Sequence, residues 1–339
     1  MNRFALGTKA RVTIADVARQ ANVSKTTVSH VLSGKRPVAV STRQRVEDAI
    51  RALGYRPDGV ARNLRTRTSH LVAVIIPDIT NPFYPTVVRG LEDGLHREGY
   101  RTLIGNTDHH AELEVEFLQE VVDRGVDGIV LDSFTLTGSQ VQELVPPSVP
   151  VVRIGTTVID DPGFDSVHAD DGRGAFDATV HLLQRPTRRV AMIQGPPGAA
   201  ASRNAGYQRA LEAMGVQFEQ DLVLSGEWTR QGGHDAMQFL LALPDPPTAV
   251  FCANDLMALG ALDAARELGV AVPADLALVG FDDIEAAAMA VPPLTTVSNP
   301  AQETGLLAGI MLGERMRGAF VGAPRTVTLP CRLIRRGTA

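Results

Sequence analysis

Polar side chains with hydrogen-bonding groups crowd one face of a predicted helix near the N-terminus. Side chains of these types contact base edges and phosphates when a helix lies in the major groove of DNA. The helix follows Ser24, a common capping residue type, and a capped helix N-terminus also favours phosphate contact. A purely structural three-helix module is the alternative interpretation. The residues on this face are Lys25, Thr26, Thr27, Ser29 and His30.

A second set of candidates lies at strand ends and loops further along the chain. Trp228, the only tryptophan, offers a flat face on which sugar CH surfaces or bases can stack. Arg203 carries forked donors suited to paired hydroxyls or a carboxylate, although an ordinary surface arginine is the simpler interpretation. Asp282 ends a predicted strand and can accept hydrogen bonds. Asn254 either binds a ligand or caps the helix that follows it.

The loop after the first predicted strand of the larger segment adds an amide and two aromatic rings. Asn81, Phe83 and Tyr84 follow that strand closely, so the loop can place them in a ligand cleft. Packing of both rings beside Pro82 is the alternative. Ligands of parallel sheets bind at the carboxyl ends of the strands, which favours the cleft.

The sequence carries no pattern typical of an enzyme. The loop Gly195–Gly198 lacks the Gly-Lys-Ser/Thr of a phosphate-binding loop, and neither GxGxxG nor GxSxG occurs. The histidines and aspartates at His109–His110 and His168–Asp171 match no known metal-site spacing. We therefore expect no catalytic residues, no metal and no cofactor.

Capping residues divide the N-terminal segment into three short helices. Thr13 opens the first helix, and Ser24 caps the second, which Gly34 ends. The third is predicted to begin at Ser41, with Gln44 completing a capping box. Three such helices with a tight first turn indicate a helix-turn-helix unit. The apolar positions predicted to pack together are Ile14, Val17, Ala18, Ala21, Val28, Val31, Leu32, Val46, Ile50 and Leu53.

From Leu71 onward, short apolar runs alternate with helical patterns. This alternation predicts parallel sheets covered by helices on both faces. Two similar starts, LVAVIIPD and RVAMIQGP, suggest two α/β lobes with a cleft between them. The predicted strands are Leu71–Pro77, Arg101–Ile104, Gly128–Asp132, Val149–Ile154, Val190–Ile193, Ala249–Cys252 and Ala277–Phe281.

Charge is divided unevenly along the 339 residues. Residues 1–70 hold 14 basic and 4 acidic side chains, whereas the remaining 269 residues hold 19 and 34. A basic module beside an acidic body suggests that only the module binds a polyanion. Two cysteines, no long apolar run and no apolar core near the N-terminus favour a cytoplasmic protein with no membrane partner.

The segment Val12–Phe83 resembles the LacI/GalR family of bacterial transcription regulators, chiefly through VSKTTVSHVLSG and GYRPDGVARNLR. The resemblance implies that Lys25, Thr26 and His30 contact bases and that Arg36 contacts DNA. It further implies a hinge helix at residues 60–65. There, Leu64 would enter the minor groove and kink the duplex, with Arg65 beside it, as apolar wedges do elsewhere.

The resemblance continues through most of the chain, including RNAGYQRALEAMG and LALVGFDDI. It implies a periplasmic-binding-protein-like body whose chain crosses three times between the lobes, near Ser166–Asp170, Val297–Asn299 and Leu329–Cys331. The expected domains are a helix-turn-helix domain (1–57), a hinge helix and linker (58–70), and an effector-binding and dimerisation domain (71–339). The expected lobes are about 71–167 with 299–329, and about 168–298 with 330–339.

The family pattern also implies which side chains hold the effector, and it shows where this chain departs. The family often has an Asp-Arg pair where this chain has Gly155-Thr156, and a Gln where it has Asn299. Many members have Arg in place of His30, so the operator sequence does not carry over. The implied effector residues are Asn81, Phe83, Tyr84, Arg203, Trp228, Asn254, Asp282 and Asn299.

Together these observations predict a cytoplasmic, ligand-responsive DNA-binding regulator. The expected form is a homodimeric repressor that binds double-stranded, pseudo-palindromic operator DNA. The expected effector is a sugar or sugar derivative, and a purine-like corepressor or a protein partner is the alternative. A solute-binding protein, the alternative from a different class, would have an export signal and no basic head.

Overall fold

The structure is a computed structural model that describes residues 12–34, 36–55, 68–133, 135–155, 163–185, 189–196 and 201–339. The chain forms two compact units, Met1–Ser69 and His70–Ala339. Each unit is described by itself below. The part of each unit that the structure describes contains no helix long and apolar enough to cross a membrane.

The first unit contains three helices: α1 (Ile14–Ala21), α2 (Lys25–Ser33) and α3 (Val40–Leu53). The Asp16 carboxylate accepts from the backbone N–H of Thr13 at 2.9 Å, which ties down the start of α1. The Ser24 hydroxyl accepts from the backbone N–H of Thr27 at 3.1 Å and caps α2. Gly34 ends α2 with a φ of 64°. The predicted helix-turn-helix is therefore present.

Two details of this unit differ from the expectation. Helix α3 begins at Val40, so Ser41 lies inside the helix and does not cap it, and Gln44 donates to Asp48 at 3.1 Å. Leu32 is 39% exposed, whereas Val28 and Val31 fill the space against the other helices.

The second unit contains twelve strands and nine α-helices within the residues that the structure describes. The strands are β1 (Leu71–Ile76), β2 (Arg101–Asn106), β3 (Gly128–Asp132), β4 (Val151–Ile154), β5 (Asp165–Ala169), β6 (Val190–Gln194), β7 (Val223–Ser225), β8 (Ala249–Cys252), β9 (Ala277–Asp282), β10 (Thr295–Ser298), β11 (Thr326–Leu329) and β12 (Arg332–Ile334). The helices are α4 (Phe83–Leu95), α5 (Ala111–Asp123), α6 (Gly138–Leu144), α7 (Asp171–Leu183), α8 (Ala201–Ala213), α9 (Arg230–Leu241), α10 (Asp255–Glu267), α11 (Glu285–Met289) and α12 (Ala301–Met316).

The strands form two six-stranded sheets, one in each lobe. The first sheet has the order β11-β5-β4-β3-β1-β2, and every pairing in it is parallel. The second has the order β12-β10-β9-β8-β6-β7, with only the β10–β12 pairing antiparallel. This arrangement confirms the predicted fold class of a helical head and a two-lobed α/β body.

The chain passes between the two sheets three times. It leaves the first sheet after Ala169, returns to it after Ser298, and leaves it again after Leu329. Strand β5 stays paired in the first sheet through Ala169, opposite Leu329. The first sheet therefore extends slightly beyond residue 167, where the first lobe was expected to end. Five strands, β5, β7 and β10 to β12, were not among those predicted.

Helices α4 and α12 approach each other closely along a seam of glycines. A Cβ atom on Gly305 would lie 1.9 Å from the carbonyl oxygen of Val87, and one on Gly90 would lie 2.1 Å from that of Gln302. Only residues without a side chain permit this backbone-to-backbone approach. The seam attaches the C-terminal α12 to the first lobe, where it covers strands formed from the N-terminal half of the body.

Candidate functional site

A cavity lies between the two lobes, where strands of both sheets end. It collects side chains that are far apart in sequence, as expected for a ligand site in parallel sheets. The predicted side chains among its lining are Asn81, Phe83, Tyr84, Arg203, Trp228, Asn254, Asp282 and Asn299. The lining residues that were not predicted are Asp78, His109, Asp132, Gly155, His168, Ala169, Asp171 and Thr304.

Arg203, near the start of α8, is the centre of a buried ionic cluster. Its Nε donates to the Asp171 carboxylate at 3.0 Å, and one of its terminal nitrogens lies 3.3 Å from Asp282 Oδ1. The other terminal nitrogen donates to the backbone carbonyl of Ala253. The guanidinium lies over the Phe281 ring, 3.8 Å from its centroid. The hydrogen-bond donors of the Arg203 guanidinium are therefore bonded to groups of the protein itself.

The same cluster touches the connections between the lobes. Asp171 begins α7 just after the first crossing, and Asn299 follows the second. Asn299 Nδ2 donates to Asp282 Oδ1 at 3.2 Å. The thiol of Cys331, just after the third crossing, lies 4.0 Å from Asp171 Oδ1. The residues around the arginine thus join the ligand cavity to all three crossings.

Burial dominates the electrostatics of this cluster. It raises the pKa of Asp282 to about 6, although Arg203 and Asn299 oppose the shift. Burial acts to lower the pKa of Arg203, but Asp171 and Asp282 together raise it above its usual value. The guanidinium stays charged, and it faces two carboxyl groups.

The loop and first turn of α4 form the wall contributed by the first lobe. Phe83 and Tyr84 pack edge to face, with centroids 5.2 Å apart and ring planes at 83°. The side-chain oxygen of Asn81 accepts from the Phe83 backbone N–H at 3.1 Å, which fixes the turn. Tyr84 is buried, and Phe83 remains partly exposed. Both of the interpretations considered for these residues therefore apply, since they pack and also line the cavity.

Asp132, at the end of β3, is the most informative residue that sequence analysis missed. Its side chain is buried, and its Oδ1 has no hydrogen-bond partner among the described residues. Burial raises its pKa to about 7, against the lowering effects of the Tyr84 hydroxyl and Arg153. A Cβ atom on Gly155 would lie 2.6 Å from that oxygen, so the glycine leaves space for the carboxyl group. An acidic residue closing the apolar run GIVL was the available signal.

Trp228 and Asn254 form a supporting pair on the side of the second lobe. Asn254 Oδ1 accepts from the Met257 backbone N–H at 2.8 Å and caps α10, which was the alternative interpretation of this residue. Its Nδ2 donates to the Trp228 carbonyl at 3.1 Å. The indole packs flat enough on Gly195 that a Cβ there would come within 2.2 Å of the ring. Asn254 thus positions the aromatic face.

Three side chains of the cavity come from residues with unusual backbone conformations. Trp228 has a φ of 59°, His109 of 61° and Asp282 of 105°. Residues other than glycine rarely adopt positive φ, and each such residue costs about 1–3 kcal/mol. Such conformations cluster at ligand sites, where the surrounding packing maintains them.

In the first unit, α2 presents the side chains predicted to contact DNA. Lys25 and Thr26 are exposed, and Thr27, Ser29 and His30 are partly exposed. The Thr27 hydroxyl is 2.9 Å from that of Ser24, so it belongs to the helix cap as well. Arg36 is exposed after the helix end. Leu64 and Arg65 lie outside the described residues.

Comparison with known proteins agrees with these observations. Residues 13–58 match the family model of bacterial regulatory proteins of the lacI family, and residues 179–339 match the periplasmic binding protein-like domain. The HTH-type transcriptional repressor CytR of Escherichia coli strain K12 is 37% identical over 331 residues, 96% of each chain. The chain belongs to the LacI family of bacterial regulatory proteins.

Further relatives of this LacI-family protein are also regulators. Catabolite control protein A of Priestia megaterium is 37% identical over 325 residues, covering 95% of this chain and 97% of the relative. The ribose operon repressor of Escherichia coli strain K12 is 35% identical over 331 residues, covering 96% and 99%. The LacI-family protein is thus a DNA-binding transcription regulator and not an enzyme.

Solved structures of LacI-family proteins show the same fold. A complex of the transcriptional regulator CelR with cellobiose matches with a TM-score of 0.73 and 32% identity, covering 97% of this chain and 100% of that one. The lac repressor dimer bound to operator and the anti-inducer ONPF matches with a TM-score of 0.84 and 26% identity, covering 97% and 99%. An Enterococcus faecium regulator with bound ribose gives 0.72 and 29%, covering 79% and 98%.

Proposed function

We propose that this LacI-family protein is a cytoplasmic, dimeric repressor that binds a pseudo-palindromic operator and responds to a small sugar-like effector in the cavity. The observation that carries the proposal is the convergence of all eight predicted effector side chains on one cavity between the lobes. The sugar complexes of related regulators support a sugar-like effector.

The DNA-binding part of the proposal assigns roles to α2. Lys25, Thr26 and His30 contact base edges, Thr27 and Ser29 support these contacts, and Arg36 contacts the backbone. A dimer places two such helices in adjacent major grooves, which explains a pseudo-palindromic site. Leu64 and Arg65 enter the minor groove at the centre and bend the duplex. The operator complex of the lac repressor dimer supports this arrangement.

The effector part assigns the cavity residues to recognition. The rings of Phe83 and Trp228 cover the faces of the effector, while Asp282, Asn299 and Arg203 contact its polar groups. An effector that competes for the donors of Arg203 changes the contacts that hold the three crossings. Its influence on DNA binding equals its differential affinity for the two lobe arrangements.

Selection from a randomised DNA pool at fixed salt tests the DNA-binding proposal. Salt is fixed because phosphate contacts make affinity strongly dependent on ionic strength. We expect a pseudo-palindrome with a deformable central step. Enrichment of only generic duplex, both alone and with added metabolite extract, would contradict the proposal. The selected site then allows effectors to be screened by release or recruitment of DNA.

Thermal unfolding with sugars and nucleobases tests the effector class. A ligand that binds only the folded protein raises its Tm. We expect sugars or their derivatives to raise the Tm and purines to leave it unchanged. A shift with purines alone would favour the alternative, a purine-like corepressor.

A further inference from the structure

The cavity contains more acidic than basic side chains. Among the described residues that line it, four are aspartates and one is an arginine. The guanidinium of Arg203 is already bonded to Asp171, Asp282 and the Ala253 carbonyl. Of the lining histidines, His109 has its pKa lowered by burial, which favours its neutral form. The lining therefore favours a ligand group that carries positive charge.

The clearest unmet need for a hydrogen-bond donor lies at Asp132, which lines the same cavity as Arg203. The residue is only 4% exposed, and its Oδ1 accepts no hydrogen bond from any described residue. A buried carboxylate oxygen without a donor is unfavourable, so native structures normally supply one. Asp132 lines the cavity beside Gly155, so a ligand held in the cavity lies on the side from which a donor could approach this carboxyl group.

The groups around Asp132 do not remove its need for a donor. Tyr84 on α4 and Arg153 on β4 favour its ionised form, whereas Glu114 on α5 and Asp171 on α7 disfavour it. Glu114 is itself buried, with Oε1 unpartnered, so it adds negative charge behind the cavity wall. A hydroxyl group on the ligand would supply a hydrogen bond but no positive charge. A protonated amine supplies both.

We propose that the effector is a sugar-sized molecule with a protonated amino group that donates to the free oxygen of Asp132, which makes Asp132 a specificity-determining residue. The inference rests on the proposed function, since it takes the cavity to be the effector site. It adds the chemical class of the effector and the side chain that selects it.

Matched sugars test the inference on the full-length protein. Isothermal titration at pH 7 would compare glucose, galactose and mannose with glucosamine, galactosamine and mannosamine, and with their N-acetyl forms. We expect at least one amino sugar to bind about tenfold or more tightly than its parent hexose, as a charge-assisted hydrogen bond allows. The N-acetyl form, which has lost the charge, should lose this advantage.

A variant of Asp132 then tests whether this residue causes the preference for an amino sugar over its parent hexose. D132N keeps the shape of the side chain but removes its charge, so the hexosamine and the hexose should bind within about twofold of each other. The matched control D123N changes an exposed aspartate at the end of α5 and should keep the wild-type preference. Operator binding and the Tm of both variants check that they fold. The comparison of amino sugars with parent hexoses on the wild-type protein does not depend on either variant.

The binding results distinguish failure of the amine preference from failure of the sugar-type effector. Equal or tighter binding of the parent hexoses by the wild-type protein would overturn the amine inference and leave a sugar-type effector in place. An amine preference that survives in D132N would overturn the role of Asp132. If the wild-type protein bound its operator but none of the nine sugars, the amine inference and the sugar-type effector would both fail.

Discussion

Arg203 holds two buried carboxyl groups, Asp171 and Asp282, in the second lobe. Replacing it with methionine would leave both groups buried without their cation. Breaking a buried pair in this way typically costs 3–5 kcal/mol. We therefore expect Arg203→Met to lower the free energy of unfolding by about 3–5 kcal/mol in urea titrations at pH 7.

The control for this variant is Arg173→Met on the neighbouring α7. Arg173 pairs with Asp177, but its side chain is 65% exposed, so the expected loss is below about 1 kcal/mol. Similar losses in the two variants would show that the buried cluster contributes no more than a surface ion pair.

The raised pKa of Asp132 makes stability depend on pH. The folded protein keeps this carboxyl protonated up to about pH 7, whereas the unfolded chain releases the proton near its ordinary value of 3.8. Stability from this group is therefore lost as the pH rises between those values. Relative to D132N, the wild-type protein should lose about 3 kcal/mol of unfolding free energy between pH 5 and pH 8.

Chemical denaturation of both proteins at the two pH values measures this difference. Titrating groups distant from Asp132 are common to both proteins and cancel, so the difference reports Asp132 together with its neighbours Glu114 and Asp171. A stability difference that did not change with pH would mean that Asp132 titrates at its ordinary pKa.

At the scale of elements, the glycine seam between α4 and α12 is the most constrained contact. Gly305→Ala would place a methyl group 1.9 Å from the Val87 carbonyl oxygen, so the two helices would have to separate. Overpacking of this kind costs about 1–3 kcal/mol, even though alanine is the better helix former by about 1 kcal/mol. We expect a net loss of about 1–3 kcal/mol in urea titrations.

Glu303→Ala in the same helix is the control, because Glu303 is exposed. Its effect should stay within about 0.5 kcal/mol. A gain in stability for Gly305→Ala would mean that the seam opens without cost.

Helix α2 allows a test of base recognition. With the selected operator, His30→Ala should lose about 1–3 kcal/mol of discrimination at one base pair and should leave binding to non-specific DNA unchanged. Gln20→Ala on α1, also exposed, serves as the control. An equal loss on specific and non-specific DNA would assign His30 to phosphate contact instead.

The sequence predicted elements that have strong local signals. Ser24 and Gly34 bound α2 where they were expected, and the continuous apolar strands β1, β3 and β8 were found. Strands β10 to β12 were missed because threonine, serine or arginine interrupts their apolar residues, and β11 is partly exposed, so no continuous apolar run distinguishes them. Strands β10 to β12 are defined instead by their pairing with strands distant in sequence.

The cavity was predicted more fully on its aromatic and arginine side than on its acidic side. Trp228, Arg203 and Asp282 belong to residue types and positions that signal ligand contact. Asp132 closes an apolar run, but its residue type, like that of Asp171, is typical of a surface acid, and packing around Gly155 and Arg203 is what buries the two. Burial of an acid depends on contacts between distant segments, which local patterns do not encode.

For the whole molecule, the division of charge predicts that the two binding activities respond differently to salt. The first 70 residues carry 14 basic side chains, and the body is acidic. If the dimer makes 6–10 phosphate contacts, operator affinity should fall about 10³- to 10⁵-fold between 50 and 200 mM salt. Effector affinity, measured by titration calorimetry, should change less than about tenfold. A weak salt dependence of operator binding would contradict phosphate contact by the basic head.

The three crossings between the lobes also determine when each lobe can be completed during translation. The ribosome makes β1 to β5 first, but α12 and β11, which finish the same lobe, emerge only after nearly all of the second lobe. Until then, the glycine-lined face of α4 has no partner, and β5 is an open edge strand. The first lobe is therefore begun first and finished late, so a nascent chain interrupted before residue 301 exposes the surfaces that chaperones bind.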